Sequence, residues 1–195
     1  MMDHAEYFWT HPPRCIAGFK AQPVELPGVE FDGHPSMSDF AGSPYADRIS
    51  APENLDIIFL LYCTCGSDRH YILGHYWRNP DYNNVLVFLS PLALRCAACG
   101  KVTELIDTDI HGYDGECGHG VATKRGEGRR EEYLCDECGP QPLEGFVRFE
   151  YPDDLFTEDF AEFRGREQDL FTWFSVAGKC VGCSRLLHVT EFECA

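Results

Sequence analysis

Short runs of apolar residues, separated by glycine, asparagine, proline or cysteine turns, recur through the middle and the end of the chain. Each run has the length of a β-strand, and several alternate apolar with polar positions as a half-buried strand does. The pattern predicts strands at residues 55–62, 71–77, 85–89, 101–107, 146–151, 170–176 and 187–192. An acidic stretch at 153–164 fits a short helix with its phenylalanines toward the core. We therefore expect an α+β fold that is mainly β.

The chain divides into zones of different composition. Residues 1–54 hold more than half of the twelve prolines and show little periodicity, so we expect a largely extended segment packed on the body. Residues 55–123 and 133–195 each contain strands and cysteine turns, and a charged linker at 124–132 separates them. The sequence thus predicts two modules preceded by a proline-rich segment.

Eight of the eleven cysteines fall into four close pairs, which are the strongest chemical signal in the chain. In chain order the first to fourth pairs are Cys63/Cys65, Cys96/Cys99, Cys135/Cys138 and Cys180/Cys183. A tight turn that carries such a pair, here called a knuckle, aims both sulfurs at one point, and Zn²⁺ takes four such ligands tetrahedrally. Glycine follows three knuckles and lies inside the fourth, where a positive φ lets backbone amides turn toward the thiolates. We expect two structural zinc sites with these eight cysteines as ligands.

Four knuckles can be joined in three ways. We expect sequential pairing, first with second and third with fourth, because it closes the shortest loops. Each half begins near a knuckle, runs through strands and reaches a second knuckle followed by a strand. The halves therefore look like distant copies of one plan.

Paired cysteines have other uses, which the rest of the sequence disfavours to different degrees. A redox-active pair usually lies at the start of a helix, and the glycines argue against helices there. A secreted disulfide framework predicts a signal peptide and usually an even cysteine count, whereas this chain opens MMDHAEYFWTHPPRC and carries eleven. Iron–sulfur ligation also uses four cysteines, and residue types alone leave that alternative open.

The knuckles and their separation resemble zinc-ribbon proteins, over about residues 60–107 and 133–192. That resemblance implies two β-rich, zinc-ribbon-like modules without naming an activity. The first knuckle, with a single intervening residue, together with the second is also similar to the zinc centre of redox-switched heat-shock chaperones. This second resemblance is confined to four cysteines and implies a redox-responsive switch in which oxidation ejects zinc.

The charge of the chain limits its partners. Acidic residues outnumber basic ones 32 to 16, a net charge of −16, and two four-thiolate zinc sites would take it to about −20. Affinity for phosphates comes from Lys and Arg, so we do not expect nucleic acid as a partner. The one basic cluster, 124–130, is interrupted by glycine and followed by two glutamates. We interpret it as a solvated loop, with a phosphate-binding patch as the alternative.

No apolar run approaches the roughly 20 residues that a membrane helix requires. We therefore expect a cytoplasmic protein that does not enter membranes. Closed zinc sites leave no coordination position for a substrate, so the expected function is a non-catalytic module that binds another protein. An acidic surface suits a basic partner, as in an inhibitor or immunity-type protein that covers a basic active site.

A glycine-rich stretch supports an alternative function as a zinc hydrolase. His111, Cys117 and His119 could provide the three ligands of a catalytic zinc, with Glu116 or Asp114 as base. The stretch is also strongly turn-forming, which favours a loop with His111 hydrogen-bonded locally.

Overall fold

The structure is a computed structural model that describes residues 4–25, 55–79, 85–111 and 125–193. The described residues contain one α-helix, α1 (His4–Thr10), and short 3₁₀ helices at Arg14–Ile16, Glu158–Phe163 and Glu167–Asp169. The strands are β1 (Lys20–Pro23), β2 (Leu55–Tyr62), β3 (Arg69–Asn79), β4 (Val85–Cys96), β5 (Val102–Ile106), β6 (Glu131–Glu132), β7 (Leu143–Tyr151), β8 (Trp173–Cys180) and β9 (Leu186–Glu193). All nine belong to one antiparallel sheet, so the prediction of a mainly β fold is confirmed.

Two lines of consecutive strands form the centre of this sheet. One central line is β2 followed by β3, and the other is β6 followed by β7. A knuckle interrupts each line between its two strands. Along β3, Leu73 faces Glu132 of β6 and His70 faces Leu143 of β7. The chain advances three residues along β3, from 73 to 70, while the facing line advances eleven, from 132 to 143. The eight extra residues loop out between β6 and β7 and contain the third knuckle.

The first knuckle interrupts the neighbouring line in the same way. Along β7, Glu144 faces Arg69 of β3 and Phe146 faces Leu60 of β2. The chain advances two residues along β7, from 144 to 146, while the facing line spans nine, from 69 to 60. Seven extra residues therefore loop out between β2 and β3. The pairing is reciprocal, because β2 of the first half pairs with β7 of the second, and β3 pairs with β6.

The second and fourth knuckles are hairpin turns on the outer sides of these lines. The second joins β4 to β5, where Arg95 faces Val102, and the fourth joins β8 to β9, where Lys179 faces Leu186. Even the β-bulges correspond, since β4 shifts its register against β5 after Leu92 and β8 shifts against β9 after Val176. The two positions lie 84 residues apart, as do the first cysteines of the two turns, so the repeat predicted from the sequence is present in the strand registers.

The sheet curls until β9 approaches β4. The Thr190 hydroxyl donates a hydrogen bond to the Phe88 carbonyl oxygen at 2.6 Å, and the Tyr133 hydroxyl donates to the His188 carbonyl oxygen at 3.1 Å. The curl encloses an aromatic-rich core whose fully buried rings are Phe8, Phe59, Phe149, Tyr151, Phe171, Phe174 and Phe192. Burying one such ring stabilises the fold by roughly 1.5–3 kcal/mol.

The described part of the N-terminal segment, 4–25, covers one end of this core. Phe8 of α1 is fully buried and stacks on Tyr151 with ring centroids 3.9 Å apart. The Tyr7 hydroxyl donates to the Glu167 carboxylate at 2.8 Å, and β1 pairs with β2. The segment is thus packed on the body, but it is helical at its start because a helix turns Phe8 toward the core while its polar residues face out.

The predicted strands correspond to β2–β5 and β7–β9, with differences at their ends. The strand predicted at 85–89 continues through Pro91 to Cys96. Pro91 is tolerated because β4 shifts its register against β3 at this point, where the missing N–H costs no ladder hydrogen bond. The acidic stretch forms a 3₁₀ helix, Glu158–Phe163. Division of the chain at residues 54, 123 and 132 remains a prediction, and strands from both sides share the sheet.

Candidate metal centres

The structure brings the eight paired cysteines into two clusters. Site 1 consists of Cys63, Cys65, Cys96 and Cys99, and site 2 consists of Cys135, Cys138, Cys180 and Cys183. These are the sets that sequential pairing of the knuckles predicts. Each site joins a knuckle that interrupts a central strand line to a knuckle that turns an outer hairpin. A metal ion at either site would therefore tie the centre of the sheet to its edge.

The sulfur positions in both sites fit one tetrahedral ion. Within each site the four Sγ atoms lie within 4.8 Å of one another. In site 1 the Cys63–Cys99 and Cys65–Cys96 Sγ distances are both 3.6 Å. A tetrahedral ion with sulfur ligands at about 2.3 Å places its ligands about 3.8 Å apart, whereas a disulfide bond is about 2.05 Å long. Both clusters can therefore hold a metal ion.

All four knuckles share one backbone hydrogen bond. The residue after the second cysteine donates its N–H to the carbonyl oxygen of the first cysteine, at 2.8 or 2.9 Å. That residue has a positive φ at each knuckle: Gly66, Gly100, Gly139 and Ser184. The bond closes the turn and leaves the next amides free to face the sulfurs.

The fourth knuckle differs from the sequence-based expectation. Its positive φ, 61°, falls on Ser184, the one non-glycine residue with positive φ in the part of the chain that the structure describes. Gly182 has another role, because a Cβ there would lie 3.1 Å from the Cys138 Sγ. The glycine inside this knuckle therefore makes room for a sulfur atom of the neighbouring knuckle.

Backbone amides lower the pKa of the first cysteine in three of the knuckles. Burial opposes ionisation of Cys96, but the N–H groups of Cys99 and Ala98 outweigh it and bring the Cys96 pKa to about 6. The N–H groups of Cys138 and Glu137 bring the pKa of Cys135 to about 7. Amides directed at these sulfurs stabilise thiolates, which are the form that binds metal.

A polar contact connects the two knuckles of each site. The Lys101 ammonium lies 3.4 Å from the Thr64 hydroxyl oxygen in site 1, and Arg185 pairs with Glu137 at 2.6 Å in site 2. Both cations lie two residues beyond the second cysteine of a hairpin knuckle, and both partners lie between the cysteines of the facing knuckle. These four residues were not among the predicted site residues, although their common offset from a cysteine is visible in the sequence.

The alternative zinc centre is described only in part. The His111 Nδ1 accepts a hydrogen bond from the Asp107 N–H at 3.0 Å, as expected for a local turn. Burial lowers the His111 pKa. Cys117, His119, Glu116 and Asp114 lie outside the described residues. The zinc-hydrolase alternative therefore stays a prediction.

Two of the three described arginines of the basic cluster form ion pairs with acids. Arg125 pairs with Asp107 at 2.5 Å, and Arg130 makes a two-pronged contact with Glu104 at 2.6 and 2.8 Å. Such bidentate pairs occupy the guanidinium edge that would otherwise contact a phosphate. Among the described residues, no helix is long and apolar enough to cross a membrane.

Comparisons of the chain with protein-family models, with curated proteins and with solved structures found no match. The geometry of the two sites and the charge of the chain are therefore the features that bear on its function.

Proposed function

We propose that the chain is a non-catalytic zinc-binding protein that acts as an interaction module for a basic protein partner. The observation that carries the proposal is the closed ligand set of each site. Four sulfur atoms satisfy the tetrahedral coordination of a structural Zn²⁺ and leave no position for water or substrate. The two sites then serve architecture, and the function lies on the surface that they hold in place.

The spacing of the sulfurs favours a single ion over an iron–sulfur cluster. A cluster distributes its cysteine ligands over several iron atoms, which spreads the sulfurs apart. Here all four sulfurs of each site lie within 4.8 Å of one another and surround one point. Among single ions, four thiolates in a tetrahedral arrangement favour zinc.

The surface charge supports a basic partner. Seven described arginines already form ion pairs with carboxylates: Arg14, Arg95, Arg125, Arg130, Arg148, Arg164 and Arg185. The surplus acids include exposed side chains in the segment 153–162, namely Asp153, Asp154, Asp159 and Glu162. Carboxylates in excess steer a positively charged protein toward the surface and disfavour nucleic acid. An inhibitor or immunity-type protein that covers a basic active site is the form that we propose.

Elemental analysis of native, untagged protein tests whether the protein binds two zinc ions, which is the first part of the proposal. We expect two zinc ions per chain, falling toward one in Cys135→Ser, because a site with three sulfurs binds zinc more weakly. The His119→Ala variant is the control and should keep two. A third zinc ion that disappears with His119→Ala would contradict a non-catalytic protein, and iron in place of zinc would contradict the assignment of the metal.

Association kinetics test whether the protein binds a basic partner, which is the second part of the proposal. The zinc-loaded protein is immobilised, proteins that it retains at low salt are identified, and each is purified and remixed with it. A basic partner should associate at a rate that falls steeply with ionic strength, by about tenfold or more between low and physiological salt. The Asp153→Asn, Asp154→Asn double variant should slow association without changing the zinc content. A retained partner that is neutral or acidic, or a rate independent of salt, would overturn this part.

A further inference from the structure

The two metal sites occupy equivalent places in the repeat, so a difference between them is informative. Cys65 and Cys138 are the second cysteines of the knuckles that interrupt the central lines, and Cys99 and Cys183 are the second cysteines of the hairpin knuckles. Ligand type and ligand number are the same in both sites, and the same backbone hydrogen bond closes every knuckle, although the first knuckle is one residue shorter than the third. The surroundings of the cysteines then distinguish the two sites further.

Two cysteines of site 1 are more exposed than their counterparts in site 2. Each site has two buried cysteines, but Cys65 and Cys99 of site 1 are exposed, whereas Cys138 and Cys183 of site 2 are only partly exposed. The main hydrophobic cluster contains the two buried cysteines of site 2 and packs against the other two. The described members of that cluster do not include the cysteines of site 1. Site 2 is thus packed against the main cluster on all four cysteines, and site 1 is half buried and half exposed.

The chain around each hairpin knuckle gives the same contrast. In site 1 all six residues of the segment 97–102 are exposed, against four of the six equivalent residues, 181–186, in site 2. In site 2, Gly182 fits closely against the Cys138 sulfur, and the Gln141 side chain approaches the same point. The Arg185–Glu137 pair closes site 2 at 2.6 Å, whereas the corresponding Lys101–Thr64 contact in site 1 is a long 3.4 Å.

We propose that site 1 is an exchangeable metal site and that site 2 releases its metal much more slowly. This inference rests on the zinc binding proposed above. Zinc leaves a four-thiolate site when an incoming ligand attaches to the ion while the Zn–S bonds break one after another, and the released thiolates take up protons from water. The attacking ligand needs a path to the ion. The exposure of Cys65 and Cys99 provides that path in site 1, and the packing of Cys138 and Cys183 against the hydrophobic cluster narrows it in site 2.

The ligand class follows from the donor atoms. Thiolates are soft ligands, so a natural exchange partner that competes for the metal is a thiol-rich molecule, and a multidentate nitrogen chelator, whose donors zinc also accepts, serves as a probe. By the same reasoning, a soft ion such as Cd²⁺ should replace zinc at site 1 before site 2. Site 1 is therefore the place at which the metal load of the protein responds to its surroundings.

The test follows zinc release from the full-length, zinc-loaded protein into an excess of a metallochromic nitrogen chelator. We expect two phases of one zinc each, the first at least about tenfold faster, which corresponds to a barrier lower by about 1.4 kcal/mol. Thiols freed during each phase are alkylated with iodoacetamide and located by mass spectrometry. The cysteines alkylated in the fast phase should be those of site 1, which identifies the site without altering the chain.

Two variants that retain all eight cysteines provide the matched comparison. Gly182→Ala places a methyl group against the Cys138 sulfur and should accelerate the slow phase while leaving the fast phase unchanged. Gly145→Ala adds a methyl group that meets only ordinary contacts, at 3.8 Å or more, and should change neither phase. Cys65→Ser should remove the fast phase, and Cys138→Ser the slow one.

The outcomes separate this inference from the function on which it rests. Two bound zinc ions that leave in one phase, or alkylation of site 2 first, would overturn the exchangeable site while zinc binding stands. A protein that binds fewer than two zinc ions at the start contradicts zinc binding at both sites, and the exchangeable site fails with it.

Discussion

His70 and Leu143 face each other between β3 and β7, and each also faces the first cysteine of a hairpin knuckle on its other side. The partner of His70 is Cys96, and that of Leu143 is Cys180. The two residues therefore hold equivalent positions at the centre of the repeat. One is an imidazole whose Nε2 lies 3.0 Å from the Leu61 carbonyl oxygen, and the other is a fully buried aliphatic side chain.

Leu143 leads to a prediction about two glycines that face each other across β7 and β8. A Cβ added to Gly178 would lie 2.7 Å from Leu143, whereas one added to Gly145 would meet only ordinary contacts at 3.8 Å or more. Gly178→Ala should destabilise the protein by about 1–3 kcal/mol through overpacking. Gly145→Ala is the control and should be neutral or slightly stabilising. Urea unfolding of the zinc-loaded proteins measures both, and equal effects would contradict the packing around Leu143.

Replacing Ser184 by glycine should stabilise the folded protein. An L-residue with a side chain costs about 1–2 kcal/mol in the left-handed region, and glycine carries no such cost but adds entropy to the unfolded chain. We expect Ser184→Gly to raise the free energy of unfolding by up to about 1 kcal/mol. Ser184→Ala, which keeps the Cβ, should bring no gain. A lower thermal midpoint for Ser184→Gly would show that the serine contributes more than a backbone conformation.

Loss of both metals should open the centre of the sheet. Seven and eight looped-out residues interrupt the central strand lines, and metal ligation of cysteines in structural sites contributes folding free energy directly. We expect chelation to lower the thermal midpoint and to remove amide hydrogen-exchange protection first from β6 and the start of β7. An apo protein with unchanged exchange in β6 would contradict this role of the third knuckle.

His75 should make the stability fall as the pH decreases. Burial against Gly126, followed by the charges of Arg130 and Arg125, lowers its pKa below the ordinary 6.5, although Glu131 acts in the opposite direction. The folded state therefore binds fewer protons than the unfolded state between the lowered pKa of His75 and 6.5, so its contribution is complete well above 6.5 and is lost as the pH falls from 6.5 through the lowered pKa.

The measurement compares wild type with His75→Gln by urea unfolding at several pH values between about 5.5 and 7.5, with the zinc content checked at each. The variant should show a shallower decline in the free energy of unfolding toward acid. His70 and His111 also have lowered pKa values and are present in both proteins, so only the difference in slope reports on His75. Parallel curves would show that His75 gains no proton on unfolding.

Much of the candidate site could be predicted from the sequence, because knuckle spacing is a local property. Two cysteines in one turn converge whatever the rest of the chain does, and the shortest loops gave the pairing that the structure has. The β2 strand was also predictable, since a continuous apolar run bounded by turns has few other uses.

The way in which the two halves of the chain pair was harder to predict from the sequence. The sequence shows two similar halves, but the pairing of β2 with β7 depends on contacts more than 80 residues apart. The two-residue strand β6 carries no periodic signal, and it is a strand only because β3 lies beside it. Ser184 was missed for a different reason, since the sequence rule looks for glycine at positive φ and this turn tolerates a costlier residue.

The reciprocal pairing of the two central lines has an evolutionary consequence. An edge that pairs with its own copy across a two-fold axis is what an isologous dimer presents. A shorter ancestor with one metal site could have formed this same sheet by associating with itself, and duplication followed by fusion would yield the present chain. Within such a fused pair, selection acts on each copy separately. One copy can then pack all four of its cysteines against the hydrophobic cluster while the other keeps two of its cysteines exposed.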